Sequence, residues 1–487
     1  MSFVTAAAMR SLEDAAFRRG ISAESLMDLA GAGIAQRLID HFPQAGRAIA
    51  YVGKGNNGGD ALVALRHLRD AGWQVDLRAA YPEVEWSILS RRKRRELGPL
   101  KVPDWARPGP LLLLDGLLGI GGRGHLRPPL AKLAAEMAEL REQQGAVIAA
   151  MDLPSGMDAD TGEGDAVTAD LTLCVAASKS GLATPEGILR AGRVFLVPLA
   201  DLPAPDGGSL RLFCPELFPG LLIPRAHDFH KGRAGRLGIL AGSPGMSGAA
   251  VLCASAALRA GAGLVTLHVE SDFLASLSAA MPAEVMVRSS RNPVADAFAA
   301  GHDALVIGPG CGHWSDSTHS ALLAALIDSE IPSLLDADAL NQLAKASCQH
   351  LLRASHLITP HPGEFRRLAP DLAEIDRCAA AATFVARHPC SLLLKGARTL
   401  VTSGPGEIRF NPTGHAGMAS GGQGDVLAGV AGSLLAAGLG GADAGSLAAW
   451  LCGRAAERAL IAGPITTAGD TLRELGGAMR DWQERRR

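Results

Sequence analysis

Short apolar runs typical of β-strands alternate with helical patterns along almost the whole chain of 487 residues. The first unit is an apolar run at 48–52, followed by a glycine loop, a helix predicted from about 60 to 71, and a strand near 75–77. Strands separated by helices pair in parallel, and the helices then cover both faces of the sheet. The alternation therefore predicts an α/β fold with parallel sheets.

The pattern breaks once, between residues 198 and 225, where prolines and glycines interrupt every long element. We interpret this stretch as a linker and predict two domains, 1–215 and 216–487. No sequence repeat relates the two halves. The predicted strands lie at 111–114, 147–151, 171–175 and 194–197 in the first half, and at 237–241, 264–269, 304–307, 333–335, 356–359, 391–394 and 399–401 in the second.

Charge and cysteine content exclude several classes of protein. The net charge is −2, and the basic run 91–95 is short and followed by Glu96, so we predict a solvated helix face and no nucleic-acid partner. The eight cysteines show no CxxC and no metal-like spacing, which indicates a reducing cytoplasm. No apolar stretch is long enough to cross a membrane, so we expect no membrane partner.

The first glycine loop, 53–60, formally contains the G-x-G-x-x-G dinucleotide-binding fingerprint. That fingerprint requires an acid at the end of the next strand, whereas Asp76 lies inside the apparent strand. The loop also carries two amides and ends in Asp60, an acid that would repel a phosphate. We therefore interpret it as an oxygen-ligand site.

Oxygen-bearing side chains follow three strands of the first half: Asn57, Asp115 and Ser155. Each has an ordinary alternative as a turn residue. Their joint placement at strand ends, where open α/β sheets bind ligands, favours a site. Amide, hydroxyl and carboxylate oxygens suit a hard cation of low charge density.

In the second half, the glycine loop 421–425 runs directly into a predicted helix and ends in Asp425. Glycines and a helix N-terminus hold an anion, and the acid could take a proton from a hydroxyl that attacks a bound phosphoryl group. The alternative is a simple helix cap. Because the loops 308–312, 359–364 and 395–399 also follow strands, we favour a ligand site.

The motifs of the first half resemble the NAD(P)H-hydrate epimerase family over roughly residues 3–200. The resemblance rests on Asn-Asn-Gly-Gly-Asp at 56–60, on Asp-Gly-Leu-Leu-Gly at 115–119, on the run 152–158 and on Lys179. It implies a Rossmann-like sheet and potassium held by Asn57, Asp115 and Ser155. The implied contacts to the hydrated nicotinamide nucleotide are Asn56, Asn57, Gly58, Gly59, Asp60, Gly119, Ile120, Gly121, Gly122, Arg123, Gly124, His125 and Asp152.

The substrate of that family carries a hydroxyl beside its ring nitrogen. Its epimerisation needs only proton transfers while the C–O or the C–N bond opens and re-forms. Asp152 and Lys179 are an available catalytic acid/base pair. The sequence departs from the family at Ala61 and Gly116, where glycine and alanine are more usual, and at Ile120, which replaces threonine.

The Gly424-Asp425 loop resembles the ribokinase-like superfamily. Within it, His-Pro-Gly-Glu at 361–364, the run 230–236 and the run 242–250 are similar to the ADP-dependent NAD(P)H-hydrate dehydratase family over about residues 225–480. Arg398 stands where that family usually has glycine. The resemblance implies that Ala249, Gly312, His361 and Asp425 face the hydrated substrate, and that Lys395, Gly396, Ala397, Arg398, Thr399 and Gly424 hold the AMP portion of the nucleotide.

Together the resemblances imply two three-layer α/β domains, Rossmann-like and ribokinase-like, and a bifunctional repair enzyme. One site would interconvert the R and S forms of hydrated NADH and NADPH (NADHX and NADPHX), with K⁺. The other would dehydrate the S form with Mg²⁺ and ADP as co-substrate, giving AMP and phosphate. The enzyme would be a homo-oligomer. The alternative is a kinase of a small alcohol whose N-terminal half is a binding module. The preference between NADHX and NADPHX stays open.

Overall fold

The computed structural model describes residues 3–100, 108–122, 124–202, 208–312, 315–404, 406–460 and 465–485. Contacts divide the chain into two compact units, Met1–Gly208 and Ser209–Arg487. This division lies before the predicted boundary at 215/216, because a strand inside the predicted linker belongs to the second sheet. Among the described residues, no helix combines the length and the apolar character that a membrane span requires.

The first unit has a six-stranded parallel sheet in the order β2-β1-β3-β4-β5-β6. It confirms every strand predicted for this half. Its elements are α1 (Ala6–Arg18), α2 (Ala23–His41), β1 (Arg47–Val52), α3 (Asn56–Asp70), β2 (Gln74–Ala79), α4 (Ile88–Leu97), β3 (Leu111–Gly116), α5 (Leu130–Gln144), β4 (Val147–Met151), β5 (Leu171–Val175), α6 (Pro185–Arg190) and β6 (Arg193–Val197).

Alternate residues of β1 enter two different cores because successive side chains of a strand point to opposite faces. Ala48 and Ala50 pack in the cluster that contains apolar residues of α2 and α3. Ile49 and Tyr51 pack in the cluster that contains Met137 of α5. The sheet is therefore the middle layer of three.

Helix α3 begins at Asn56, not near 60 as predicted, with Gly55 as its N-cap. The tight first turn requires residues without a Cβ: one at Gly58 would lie 2.8 Å from the Gly53 carbonyl oxygen, and one at Gly59 2.5 Å from Met27 Cε. The loop is consequently short, and the amides lie in the first helical turn.

The basic run on α4 is not uniformly solvated, which corrects the prediction for 91–95. The Lys93 side chain is 2% exposed and donates hydrogen bonds to Asp28 at 2.9 Å and to Glu96 at 3.1 Å. It also contacts Glu24 at 3.2 Å. Charge counting along the sequence cannot reveal this burial, because two of the acids lie on α2.

The second unit has a ten-stranded sheet in the order β10-β9-β8-β11-β12-β13-β14-β15-β16-β7. It is parallel except where β15 pairs with β14 and β16. Its strands are β7 (Leu210–Leu212), β8 (Arg236–Leu240), β9 (Leu264–Glu270), β10 (Val285–Ser290), β11 (Ala304–Ile307), β12 (Ser333–Leu335), β13 (His356–Ile358), β14 (Ser391–Leu394), β15 (Leu400–Thr402) and β16 (Ile408–Phe410).

Helices cover both faces of this sheet as well. Apolar residues of α7, α14, α15 and α16 form one core with β8 and β9, while Gly238 of β8 faces His302 on the opposite side. The helices are α7 (Ser247–Arg259), α8 (Leu274–Ser278), α9 (Pro293–Ala299), α10 (Asp316–Asp328), α11 (Asp338–Lys345), α12 (Pro362–Leu368), α13 (Arg377–Arg387), α14 (Gln423–Ala436), α15 (Gly441–Ala459) and α16 (Ala468–Arg485).

Three strands were not predicted from the sequence. β7 lies inside the predicted linker and pairs with β16, and both have only three residues. In β10 three of the six residues are polar and three are exposed, as suits an edge strand. A short or polar segment lacks the apolar run that signals a strand, so only the neighbouring strand specifies it.

Candidate active sites

The first unit contains a cavity of about 460 Å³ at the carboxyl ends of its central strands. Residues that follow β1, β3, β4 and β5 supply most of its wall. Loops at this edge bind ligands in open α/β sheets. The lining includes Met9, Glu13, Lys54, Gly55, Asn56, Asn57, Asp60, Tyr81, Leu117, Leu118, Gly119, Ile120, Gly121, Gly122, Asp152, Val175 and Lys179.

The three predicted metal ligands of this unit come together around Leu118. Ser155 Oγ donates to Asp115 Oδ1 at 2.5 Å and accepts from the Leu118 amide at 2.8 Å. Asn57 Nδ2 donates to the Leu118 carbonyl oxygen at 2.8 Å. Residues nearly a hundred positions apart thus form one oxygen-rich cluster.

Asp115 is fully buried, and no cationic side chain pairs with it in the part of the chain that the structure describes. Burial raises the pKa of Asp115 to about 6, although hydrogen bonds from Ser155 and Leu117 oppose the shift. A buried carboxylate without a countercharge is costly. The cluster therefore has both the oxygen donors and the uncompensated charge that suit a bound monovalent cation.

Asp152 and Lys179 form a direct ion pair beside the cavity. Asp152 lies in the left-handed region, with φ at 70°, which a non-glycine residue adopts only at a cost. Its Oδ1 also accepts from the Val175 amide at 3.0 Å. The structure brings together the two residues that the sequence analysis paired, and local backbone strain marks the position.

The predicted substrate contacts divide into two groups. Asn56, Asn57, Asp60, Asp152 and the run 119–122 line the cavity, whereas Gly58 and Gly59 are buried and serve helix packing. His125 is 90% exposed, and both it and Gly124 lie off the cavity wall. Arg123 lies outside the described residues.

The departures from the epimerase pattern at Ala61 and Gly116 compensate each other. A Cβ on Gly116 would lie 2.7 Å from the Ala61 Cβ, and 3.1 Å from the Asn57 carbonyl oxygen. Space exists for one methyl group at this contact between α3 and β3. Ala61 fills this space, and Gly116 leaves room for it.

Helix α1 contributes residues that the sequence analysis did not select. Val4 pairs with Lys179 in a parallel bridge, with its amide donating to the Ser178 carbonyl oxygen at 2.8 Å. Asp160 Oδ1 accepts from the Ala6 amide at 2.6 Å and caps the helix. This docking carries Met9 and Glu13 to the cavity wall.

In the second unit, α14 begins at Gln423 and Asp425 lies in its first turn, as predicted. The turn into the helix needs glycine at 422, where φ is 87°. Burial and the charge of Asp336 raise the pKa of Asp425 to about 6, and Lys395 opposes the shift. A base with such a pKa is ionised and still effective near neutral pH.

Asp336 is a site residue that the sequence analysis missed. It follows β12, is almost fully buried, and its Oδ1 accepts from Lys395 Nζ at 2.7 Å. A Cβ on Gly424 would lie 3.4 Å from Lys395 Nζ and 3.9 Å from Asp336 Oδ2. The ends of β12 and β14 therefore meet the start of α14.

The next acid, Asp338, holds a second loop in place: its Oδ2 accepts from the Gly312 amide at 2.7 Å. Ala337, between the two acids, has φ at 48°, a strained value for alanine. Gly310 approaches Ala249 so closely that a Cβ would lie 2.7 Å from the alanine methyl group. Ala249 and Gly312 are thus brought to one place.

His361 is the N-cap of α12, and its Nδ1 accepts from the Gly363 amide at 3.0 Å. Nδ1 therefore carries no proton, and the ring is 51% exposed. The preceding Pro360 carbonyl oxygen accepts from the Lys395 amide at 2.9 Å. The histidine has the structural role of a cap and lies next to the strand end that carries Lys395.

The predicted nucleotide loop, 395–399, joins β14 to β15 and is braced by Arg377. Arg377 Nη1 donates to the Ala397 carbonyl oxygen at 2.9 Å. Within the loop, Thr399 Oγ1 donates to the Gly396 carbonyl oxygen at 3.2 Å. Arg398, with φ at 55°, donates to the Pro412 carbonyl oxygen at 3.1 Å. Motif matching within the loop could not indicate Arg377, which lies on α13.

Two sequence profiles match the chain. The family described as NAD(P)H-hydrate dehydratase matches residues 237–474, and the one described as YjeF-related protein N-terminus matches residues 23–181. The second unit is also similar to a solved ribokinase-like superfamily protein from Enterococcus faecalis. The TM-score is 0.52 at 23% identity, over 56% of this chain and 97% of that chain. This likeness concerns the fold.

Curated relatives match the chain over nearly its full length. The bifunctional NAD(P)H-hydrate repair enzyme Nnr of Coxiella burnetii is 33% identical over 93% of both chains. The enzyme of that name from Gloeobacter violaceus is 35% identical over 89% of both chains. The one from Escherichia coli is 35% identical over 88% of this chain and 83% of that protein. The chain therefore belongs to the family of bifunctional NAD(P)H-hydrate repair enzymes.

Proposed function

We propose that the chain repairs hydrated NADH and NADPH in two steps. The first unit interconverts the R and S epimers, and the second dehydrates the S epimer at the expense of ADP, giving AMP and phosphate. The observation that carries this proposal is the coexistence of two polar sites in one chain. One contains the pair of Asp152 and Lys179, and the other contains Asp425 beside Asp336 and Lys395.

In the dehydratase step, Asp425 takes the proton of the substrate hydroxyl, whose oxygen then attacks the terminal phosphoryl group of ADP. The amides at the start of α14 and the ammonium of Lys395 stabilise the charge that develops on that group. AMP leaves from the attacked phosphorus. The phosphorylated oxygen then leaves as phosphate, with the ring nitrogen supplying the electron pair, and the neighbouring ring carbon loses a proton, which restores the ring double bond. Ala249, Gly312 and His361 are the proposed substrate contacts, and 395–399 with Gly424 the proposed AMP contacts.

In the epimerase step, the hydroxyl-bearing carbon loses and regains one bond, and its configuration is scrambled in between. Asp152 is the proposed base for the hydroxyl proton, since its side chain lines the cavity and its carboxylate is held by Lys179 and the Val175 amide. Asn56, Asp60 and the loop 119–122 are the proposed substrate contacts.

The residues of the first site fit potassium. Asn57, Asp115 and Ser155, with the Leu118 carbonyl oxygen, would hold the ion through oxygen atoms, which is the donor type that hard cations prefer. Bound there, K⁺ would balance the buried charge of Asp115. Because the same residues position the loop after β3, the ion would also order the cavity wall.

The second site fits a nucleotide that arrives with Mg²⁺. Asp336 supplies carboxylate oxygens at the edge where Lys395 lies. Mg²⁺ typically combines one or two such carboxylates with substrate phosphates. The proposed enzyme is a homo-oligomer, as expected from the family. Its proposed location is the cytoplasm, as expected from the scattered cysteines.

The test is incubation of the full chain with mixed epimers of hydrated cofactor, with ADP or ATP as driver. We expect ADP to restore the dihydronicotinamide absorbance of both epimers, with one AMP and one phosphate released for each cofactor repaired. A kinase acting on a small alcohol would instead keep its phosphoester as product. Turnover of ADP without regained absorbance would overturn the proposal.

A further inference from the structure

Lys179 has all three of its ammonium hydrogens committed to protein acceptors. Nζ donates to Asp152 Oδ1, to the Val175 carbonyl oxygen at 3.1 Å and to the Ala177 carbonyl oxygen at 3.0 Å. The side chain is fully buried. A group held in this way supplies a fixed positive charge, and it has no hydrogen left to deliver to a substrate.

Epimerisation by ring opening moves two protons at once. The hydroxyl proton goes to a base as the C–N bond breaks, the bonding electron pair goes to the ring nitrogen, and that nitrogen takes a proton from an acid. The product is an open-chain aldehyde with an N–H group. Closure on the other face of the aldehyde reverses each transfer, so the site needs two proton carriers.

Glu13 stands on the cavity wall with Asp152 and Asp60. It is half-buried on α1, and the bridge between Val4 and Lys179 fixes the start of that helix beside the ion pair. Three carboxyl groups thus share one cavity with the committed ammonium of Lys179. Not all of them can hold a negative charge there at low cost.

The surroundings of Glu13 disfavour its charged form. Burial raises the pKa of the Glu13 carboxyl above its ordinary value, and the charge of Asp152 adds to the shift. Lys179 and Arg10 oppose it, and Asp14 adds to it. Burial also raises the pKa of Asp60 on α3, well above its ordinary value, and the charges of Asp152 and Glu13 add to the shift.

We propose that Glu13 is the second catalytic residue of the epimerase site, carrying the proton of the ring nitrogen while Asp152 carries that of the hydroxyl. Lys179 is then a positioning residue, which orients Asp152. The proposal rests on the epimerase function proposed above. It assigns a chemical role to the N-terminal helix, which the oxygen-ligand motifs do not include.

The test compares Glu13→Gln, Glu13→Asp and Asp14→Asn in the full chain, by the rate of R/S interconversion without ADP. Glutamine cannot donate a proton from a carboxyl group, so kcat should fall about 100-fold or more. KM should stay within about threefold of the wild-type value. Aspartate should restore part of the loss. Asp14, an exposed neighbour on the same helix, is the matched control and should keep wild-type kinetics.

Two controls keep the outcomes distinct. ADP-driven dehydration of the S epimer should be unchanged in Glu13→Gln, which shows an intact chain. A Glu13→Gln chain with kcat within about threefold of wild type, or an equal loss in Asp14→Asn, would overturn the assignment. If the wild-type chain itself leaves the R/S ratio unchanged, the epimerase function fails instead.

Discussion

Lys395 donates a hydrogen bond to Asp336 at 2.7 Å, and this pair lies at the N-terminus of the helix that carries Asp425. The two partners act on Asp425 in opposite directions. Burial and Asp336 raise its pKa to about 6, and Lys395 lowers it. The base must be ionised to accept a proton, so dehydration should slow as the pH falls through about 6.

Asp336→Asn should move this acidic limb to lower pH by about one unit, because the substitution removes the negative charge that disfavours ionised Asp425. The measurement is kcat/KM for ADP-driven dehydration from pH 5 to 9. Lys395→Met removes the opposing charge and should move the limb upward. An acidic limb at the same pH in all three chains would contradict the electrostatic account.

The two sites should fail independently. Asp425→Ala should lower ADP turnover by at least about 100-fold and leave R/S interconversion intact, since it removes a general base from one unit. Asp152→Asn should lower the rate of R/S interconversion and leave ADP turnover intact when the S epimer is supplied. Both activities are assayed on the same preparation, with circular dichroism as a check of folding. Loss of both in either folded variant would contradict separate sites.

Gly116→Ala should destabilise the first unit by about 1–3 kcal/mol, because the new methyl group would overlap that of Ala61. Ala61→Gly in the same chain should recover part of the loss, since it vacates the space. Denaturant unfolding of the wild type, the two single variants and the double variant gives the coupling energy. Additive effects would show that the residues do not share one space.

Potassium should raise the thermal stability of the first unit. At 100 times its Kd the ion would add about 2.7 kcal/mol, because it binds only the folded state. Differential scanning calorimetry in KCl and in choline chloride at equal ionic strength measures the effect without any substrate. Asp115→Asn should remove the potassium dependence, while Asp14→Asn should keep it. The same midpoint in both salts for the wild type would contradict the site.

Local patterns predicted most of the fold because parallel strands leave a signal in their own residues. Buried runs such as 111–114 and 304–307 are continuous and apolar, so each marks a strand without reference to its neighbours. Edge strands lack that signal: half of the residues of β10 are polar, and β7 has three residues within a proline-rich stretch. Their pairing depends on the strand beside them.

The sequence by itself determined the chemical types available at each strand end and the position of Asp425 at a helix start, because loop and helix are contiguous. Only the tertiary structure decided which residues meet. Asp336 and Lys395 are separated by 59 positions, and Glu13 lies on the cavity wall because the bridge between Val4 and Lys179 holds the start of α1. Strand order and helix docking set these distances, and both arise from burial of apolar faces far from the motifs.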